Sequence, residues 1–248
     1  MLLLAIDAST RFSGLAILED DVVLAEYLSQ SRLTHSQRLL PAIDTLLTDI
    51  NRPVSDVEAI VVSQGPGSFT GLRIGMSLAK GLAQGLQVSI VAIGSLLHWA
   101  ASLPQYSDDA SEYLLPLLDA QRGEFYCALY QRVEGHLIEI VEPAARSWEQ
   151  LLKALPSLSS QNRVYITGDV IPQHTERLAG LCTPQMILTS PADALPRPSA
   201  LGLLGLHRLR LGEKDSVLTL APVYLRLSEA ERQRLQREQN AVSSQEQL

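Results

Sequence analysis

Apolar residues open the chain in short continuous runs. Leu2 to Ile6 is uninterrupted and stops at Asp7, the pattern of a central strand covered on both faces. Phe12 to Leu18 and Val22 to Leu28 follow, with Glu19, Asp20 and Asp21 between them, which predicts an antiparallel three-stranded meander. The period then changes. Leu39, Leu40, Ile43, Leu46, Leu47 and Ile50 recur at helical spacing, behind Thr34 and Gln37 at the spacing of a capping box. Pro41 inside that pattern lacks a backbone donor and predicts a kink or a delayed start. Ala59 to Val62 reads as a strand, GPGSFTG (65–71) turns the chain into a helix from Phe69 to Gln84, Val88 to Ile93 is a strand, and Ser95 to Leu103 is a short helix.

The same order returns after a polar linker, Pro104 to Ser111. YLLPLLDAQ (113–121) ends in Asp119-Ala120, as LLLAIDAS ends in Asp7-Ala8. Two strands follow in GEFYCALYQ and HLIEIVE, then a helix near Ser147 to Leu155, a strand in RVYITG, a helix near Gln173 to Ala179, a strand at Met186 to Leu188 and a helix from Ser199 to Leu211. A repeated supersecondary order predicts two similar α/β lobes, each a mixed sheet flanked by helices. The boundaries it gives are 1–106 for the first lobe, 107–227 for the second, and a polar, frayed tail over 228–248.

Charge narrows the function. The net charge is −7, only Lys80, Lys153 and Lys214 are lysines, and acids exceed bases in both halves. Binding of nucleic acid by this chain alone is therefore disfavoured, since phosphate contacts need clustered cations. No run of 18 apolar residues marks a membrane span, and the short first run, with no basic residue before it, does not fit a signal peptide; the expected compartment is the cytoplasm. Cys127 and Cys182 make no disulfide framework or Cys-x-x-Cys pair, and Cys127, between Phe125 and Leu129 at strand period, reads as a buried thiol. None of the five histidines has a second histidine four residues on, so no helical metal pair is present.

Two strands that end in Asp at matching places resemble the kinase, heat-shock seventy and actin superfamily, where two hairpin loops hold nucleotide phosphates. The candidate loops are Asp7, Ser9 and Thr10 through Gly14, and Asp119 through Gly123; hydroxyls and exposed amides at hairpin tips can bind anions, and they also populate ordinary turns. GPGSFTGLRIG (65–75) is the most specific string. It is not a phosphate loop of the Gly-Lys-Ser/Thr type. Its small-residue stripe, Gly71, Gly75, Ala79 and Ala83, permits close backbone approach, with packing inside the chain as the favoured use.

AIDASTRFSGLAIL, THSQRLLPAIDTLL, SQGPGSFTGLRIGMSLAKGLA, DAQRGEFYCALY and APVYLR together resemble the TsaB (YeaZ) family of bacterial tRNA threonylcarbamoyladenosine synthesis, from residue 2 to about 230. The resemblance implies an actin-like (ribonuclease H-like) fold of two duplicated lobes. It implies a non-catalytic subunit that supports the transferase TsaD together with the ATPase TsaE, forms a homodimer when alone, and meets tRNA only in the complex. TsaD holds its metal with a His-x-x-x-His pair; here HSQRL (35–39) keeps His35 and has Leu39 at the second position, so no metal is expected. No cofactor is expected in the isolated chain, and nucleotide only at the junction with partners. The first two helices of the family form the partner bundle, which nominates Leu39, Ile43, Leu46, Leu72, Met76 and Lys80 as interface residues. ITGDV (166–170) departs from the Gly-Asp-Gly of many relatives, which speaks against independent nucleotide binding. The competing reading is an autonomous actin-like ATPase or small-molecule kinase using Asp7, Ser9, Thr10 and Asp119.

Overall fold

The computed structural model describes residues 1–30, 34–106, 112–157, 159–180 and 182–226. The tail over 228–248 and most of the linker lie outside them. The first sheet is built from β1 (Leu2–Asp7), β2 (Phe12–Glu19), β3 (Val22–Gln30), β4 (Ala59–Gly65) and β5 (Ser89–Gly94) in the order β3-β2-β1-β4-β5. The second uses β6 (Glu112–Asp119), β7 (Glu124–Val133), β8 (His136–Ser147), β9 (Arg163–Thr167) and β10 (Met186–Leu188) in the order β10-β9-β6-β7-β8. These are one topology used twice: an antiparallel meander, then two strands parallel to its first strand.

The helices repeat too. α1 (His35–Asp49) and α4 (Trp148–Ala154) follow the meanders, and each opens on a capping box, Thr34 with Gln37 and Ser147 with Gln150. α2 (Phe69–Leu86) and α5 (Ile171–Ala179) join the parallel strands. α1 starts at His35 rather than being delayed to Pro41, which lies on its exposed side.

The last helix of each half crosses to the other lobe. α3 (Ser95–Ala101) packs on β6 and β7 as well as on β4 and β5, and α6 (Pro198–Arg210) packs on β1, β2 and β5. α6 falls within 107–227 in sequence and covers the first sheet. The cause is local. Gly202 and Gly205 lie flat on that sheet, where a Cβ would come within 2.4 Å of Leu18 Cδ1 and within 2.2 Å of Val61 Cγ2. Burial of Leu201 and Leu206 with Leu3, Leu18 and Val61 closes the layer.

The layer between α1, α2 and the first sheet takes up most of the side chains nominated for the partner face. Leu39, Ile43, Leu46, Leu72 and Met76 are all buried, Leu39 at 1% exposure. Leu39, Ile43, Leu46 and Met76 pack with Leu4, Ile6, Leu15, Ile60 and Val62. Lys80 is half-buried, and its Nζ donates to the Leu220 carbonyl at 2.9 Å. The apolar stripe at helical period is the core stripe, as the hydrophobic effect favours when a helix lies on a sheet. Among the described residues no helix is long and apolar enough to cross a membrane.

Candidate functional site

The two duplicated hairpins face each other across a cleft of about 560 Å³. From the first lobe come Ser9, Thr10 and Arg11 at the end of β1, His35, and Gly67, Ser68 and Phe69 at the start of α2. The second lobe adds Asp119, Gln121, Arg122, Tyr126, Asp169 and Gln173, and the chain beyond α6 adds Tyr224 and Arg226.

GPGSFTG is shaped by the β1–β2 connection. Ser68 N donates to Ser9 O at 2.7 Å, and the Ser68 hydroxyl caps α2 by accepting from Gly71 N. A Cβ at Gly71 would lie 2.1 Å from Ala8 O, so only glycine lets the helix come this close. Gly75 likewise faces Ala8, and Ala79 and Ala83 are buried. The small-residue stripe is spent inside the chain.

The nominated loop residues divide. Ser9, Thr10 and Asp119 line the cleft; Asp7, Gly14 and Gly123 do not. Asp7 is sealed below it, with Oδ1 accepting from Ser9 N at 2.9 Å and Oδ2 3.7 Å from His98 Nδ1. Gly14 is paired with Asp7 in the sheet, and a Cβ there would meet Pro198 at 2.7 Å. Gly123 is exposed at the turn between β6 and β7 with φ +80°. Gly14 thus serves the close packing of the sheet against Pro198, and Gly123 the turn.

Asp119 is exposed and folded onto its own loop: its carboxylate accepts from Gln121 N and Gln121 Nε2, each at 2.7 Å. Asp119 N donates to Asp169 Oδ1 at 3.1 Å, and Arg11 Nη2 donates to the Asp169 carbonyl at 2.9 Å across the cleft. Burial pushes the Asp169 carboxyl up to about 6. Val170, at the departure from Gly-Asp-Gly, is buried in the second core. Arg11 lies inside the nominated loop from Thr10 through Gly14; Asp169, Tyr224 and Arg226 were not singled out, because they come from segments that only folding brings to the cleft.

His35 has no free nitrogen. Its Nε2 donates to the Thr10 carbonyl at 3.0 Å, which leaves Nδ1 to accept from the Ser13 hydroxyl at 2.8 Å. Burial lowers its pKa, which favours the neutral ring. Among the described residues, no three His, Cys, Asp or Glu side chains gather where they could hold a metal ion.

A second surface lies on the outside of α1 and α2. A groove of about 540 Å³ is lined by Leu40, Pro41, Ile43, Asp44, Leu47, Val54 and Leu82. Leu40 is 55% exposed. Beside it Ser77, Gly81 and Gly85 form an exposed stripe at four-residue steps, with nothing within 4 Å of a Cβ at either glycine.

Residues 28–233 match the family model described as "TsaD: tRNA N6-adenosine threonylcarbamoyltransferase". Within that wider family, the chain is 36% identical to the Bacillus subtilis tRNA threonylcarbamoyladenosine biosynthesis protein TsaB over 234 residues, which cover 93% of this chain and 96% of the relative. The chain belongs to the TsaB (YeaZ) family. YeaZ from Pseudomonas aeruginosa superposes with a TM-score of 0.75 at 28% identity, over 90% of this chain and 99% of the other. The activator of 2-hydroxyisocaproyl-CoA dehydratase from Clostridium difficile shares the fold alone, with a TM-score of 0.50 at 10% identity over 87% of this chain and 99% of the other. The fold is therefore actin-like, and membership in the TsaB family gives the chain a role in tRNA threonylcarbamoyladenosine biosynthesis.

Proposed function

We propose that the chain is a non-catalytic cytoplasmic subunit that binds a TsaD-type transferase through the outer face of α1 and α2 and supports threonylcarbamoylation of the adenosine next to the anticodon, with a TsaE-type ATPase as third component. The observation that carries it is the outward groove around Leu40 and Leu82 beside the bare Gly81–Gly85 stripe. An apolar groove next to a small-residue stripe suits a packed partner helix. A second copy uses the same face when the partner is absent, so homodimer and heterodimer exclude each other. Transfer of a threonylcarbamoyl group belongs to the partner, because His35 is fully engaged and Leu39 lies in the core. The net charge of −7 leaves tRNA contacts to the complex. Nucleotide belongs to the junction with partners, and Val170 in place of the second glycine of Gly-Asp-Gly supports this.

The test is Leu40→Asp in the full chain. A carboxylate at an exposed position changes stability by less than about 0.5 kcal/mol. Buried without a partner in the complex it costs several kcal/mol. Calorimetric titration with the cognate TsaD is expected to lose at least tenfold in affinity, and a reconstituted modification assay to fall with it. Unchanged affinity at unchanged melting temperature refutes the assigned face. Steady ATP turnover by the purified chain alone would favour the autonomous ATPase instead.

A further inference from the structure

Beyond α6 the chain is fastened along the first lobe. Asp215 N donates to Ile90 O and its carboxylate accepts from Ala92 N at 2.7 Å. Lys80 holds Leu220 O, Gln64 Nε2 donates to Ala221 O at 3.2 Å, and Val223 N donates to Gln64 O at 2.8 Å. Tyr224 packs at a tilt against Phe69 with ring centroids 4.8 Å apart, and Arg73 both covers Phe69 at 3.8 Å and donates to the Tyr224 hydroxyl at 3.1 Å. Two residues on, Arg226 leaves that lobe. Its Nη1 donates to the Ala120 carbonyl and to the Gln121 carbonyl at 3.2 Å, and pairs with Glu124 at 3.0 Å, all in the β6–β7 hairpin of the second lobe.

The lobes also meet around α3, where Phe12, Trp99 and Leu103 pack with Leu114, Leu118 and Tyr130. That contact is mainly apolar, with Arg132 donating to the Leu103 and Pro104 carbonyls at its edge; at the cleft mouth the contacts of Arg226, beside the Arg11–Asp169 bond, are directional and resist rotation. A greasy hinge around α3 and a polar fastening at the cleft mouth are the parts of a closable cleft.

We propose that residues 215–226 are a latch, in which Arg226 locks the β6–β7 hairpin to the first lobe and sets the opening of the cleft. The latch is independent of whether α1 and α2 dock a partner. It is tested by hydrogen exchange on the full chain. Arg226→Ala is expected to speed exchange of the hairpin amides of Ala120 and Glu124 by about tenfold or more while β1, β4 and α3 stay protected, because the opening is local rather than global. Tyr224→Ala, which frees the strap from Phe69 and Arg73, is expected to give the same pattern. Unchanged hairpin exchange in Arg226→Ala, or acceleration spread evenly over both lobes, overturns the latch. Should Arg226→Ala fail to fold, Arg226→Gln, which keeps part of the stem and loses the charge, is held to the same two outcomes.

Discussion

His35 and Leu39 stand one turn apart on α1 and face different neighbours. The imidazole is pinned between the Ser13 hydroxyl at 2.8 Å and the Thr10 carbonyl at 3.0 Å, while the leucine packs into the layer over the first sheet. Although residues four apart share a helix face, position 39 lies one turn further along α1, over the sheet, so a histidine there would stand in the core rather than at the cleft. Leu39→His is expected to cost about 2–4 kcal/mol in urea denaturation, by loss of apolar packing and burial of an unpaired polar ring. It is not expected to create a zinc site, since both nitrogens of His35 are already used. Zinc binding that stabilises the variant above the parent would contradict this.

The two faces of α1 predict opposite behaviour at neighbouring positions. Ile43→Asp or Met76→Glu puts a carboxylate into the layer against Leu4, Ile6 and Val62. Either is expected to unfold the chain or to lower its stability by several kcal/mol. Circular dichroism melts compared with Leu40→Asp check the assignment of core and surface. A melt of Ile43→Asp within a few degrees of the parent would mean that the stripe is free after all.

Much of the fold was legible because its strands are buried on both faces and so read as continuous apolar runs ending in acids. The duplicated order followed from Asp7-Ala8 and Asp119-Ala120. The crossing of α6 was not legible: Gly202 and Gly205 announce a close approach without naming the sheet approached. Periodicity showed which residues of α1 and α2 share a face. It could not show that the Leu39–Ile43–Leu46 face turns inward and that Leu40, Leu82 and the Gly81–Gly85 stripe are left outside. Ser9, Thr10 and Asp119 were found as strand-end polar residues. Asp169, Tyr224 and Arg226 reach the cleft from distant segments, a convergence that local spacing does not encode.

The glycines offer a paired test of packing. Gly205→Ala drives a methyl into Val61, where a Cβ would lie 2.2 Å from Cγ2 and 2.9 Å from the Val61 Cβ. Overpacking of this kind costs about 1–3 kcal/mol. Gly85→Ala meets open space on an exposed helix face and is expected to stabilise the free chain by about 0.5–1 kcal/mol. Chemical denaturation of the two variants, one falling and one rising, checks whether α6 covers the first sheet as described. Gly205→Ala matching Gly85→Ala in sign would rule out the close contact.

Asp169 makes stability depend on pH in a direction opposite to that of a salt-bridged carboxylate. Burial raises its folded-state pKa to about 6, while the unfolded chain ionises near 4, the ordinary aspartate value. Arg11 nearby pulls the value down and Asp119 pushes it up, and burial outweighs both. The folded state therefore holds the proton more tightly than the unfolded state. Below about pH 4 both are protonated and burial carries no charge penalty. Between about pH 4 and pH 6 the unfolded chain loses its proton first, so stability falls as pH rises; above that window the deficit is constant, at most about 3 kcal/mol. Asp169→Asn removes the charge and keeps an oxygen that can accept from Asp119 N. Relative to the parent, it is expected to be close to neutral near pH 4, increasingly stabilising up to about pH 6, and level from there to pH 7. Urea denaturation of both proteins at steps between pH 4 and pH 7 cancels the contribution of the other carboxylates. A difference that stays flat over that range would show that Asp169 is ionised in the folded chain throughout.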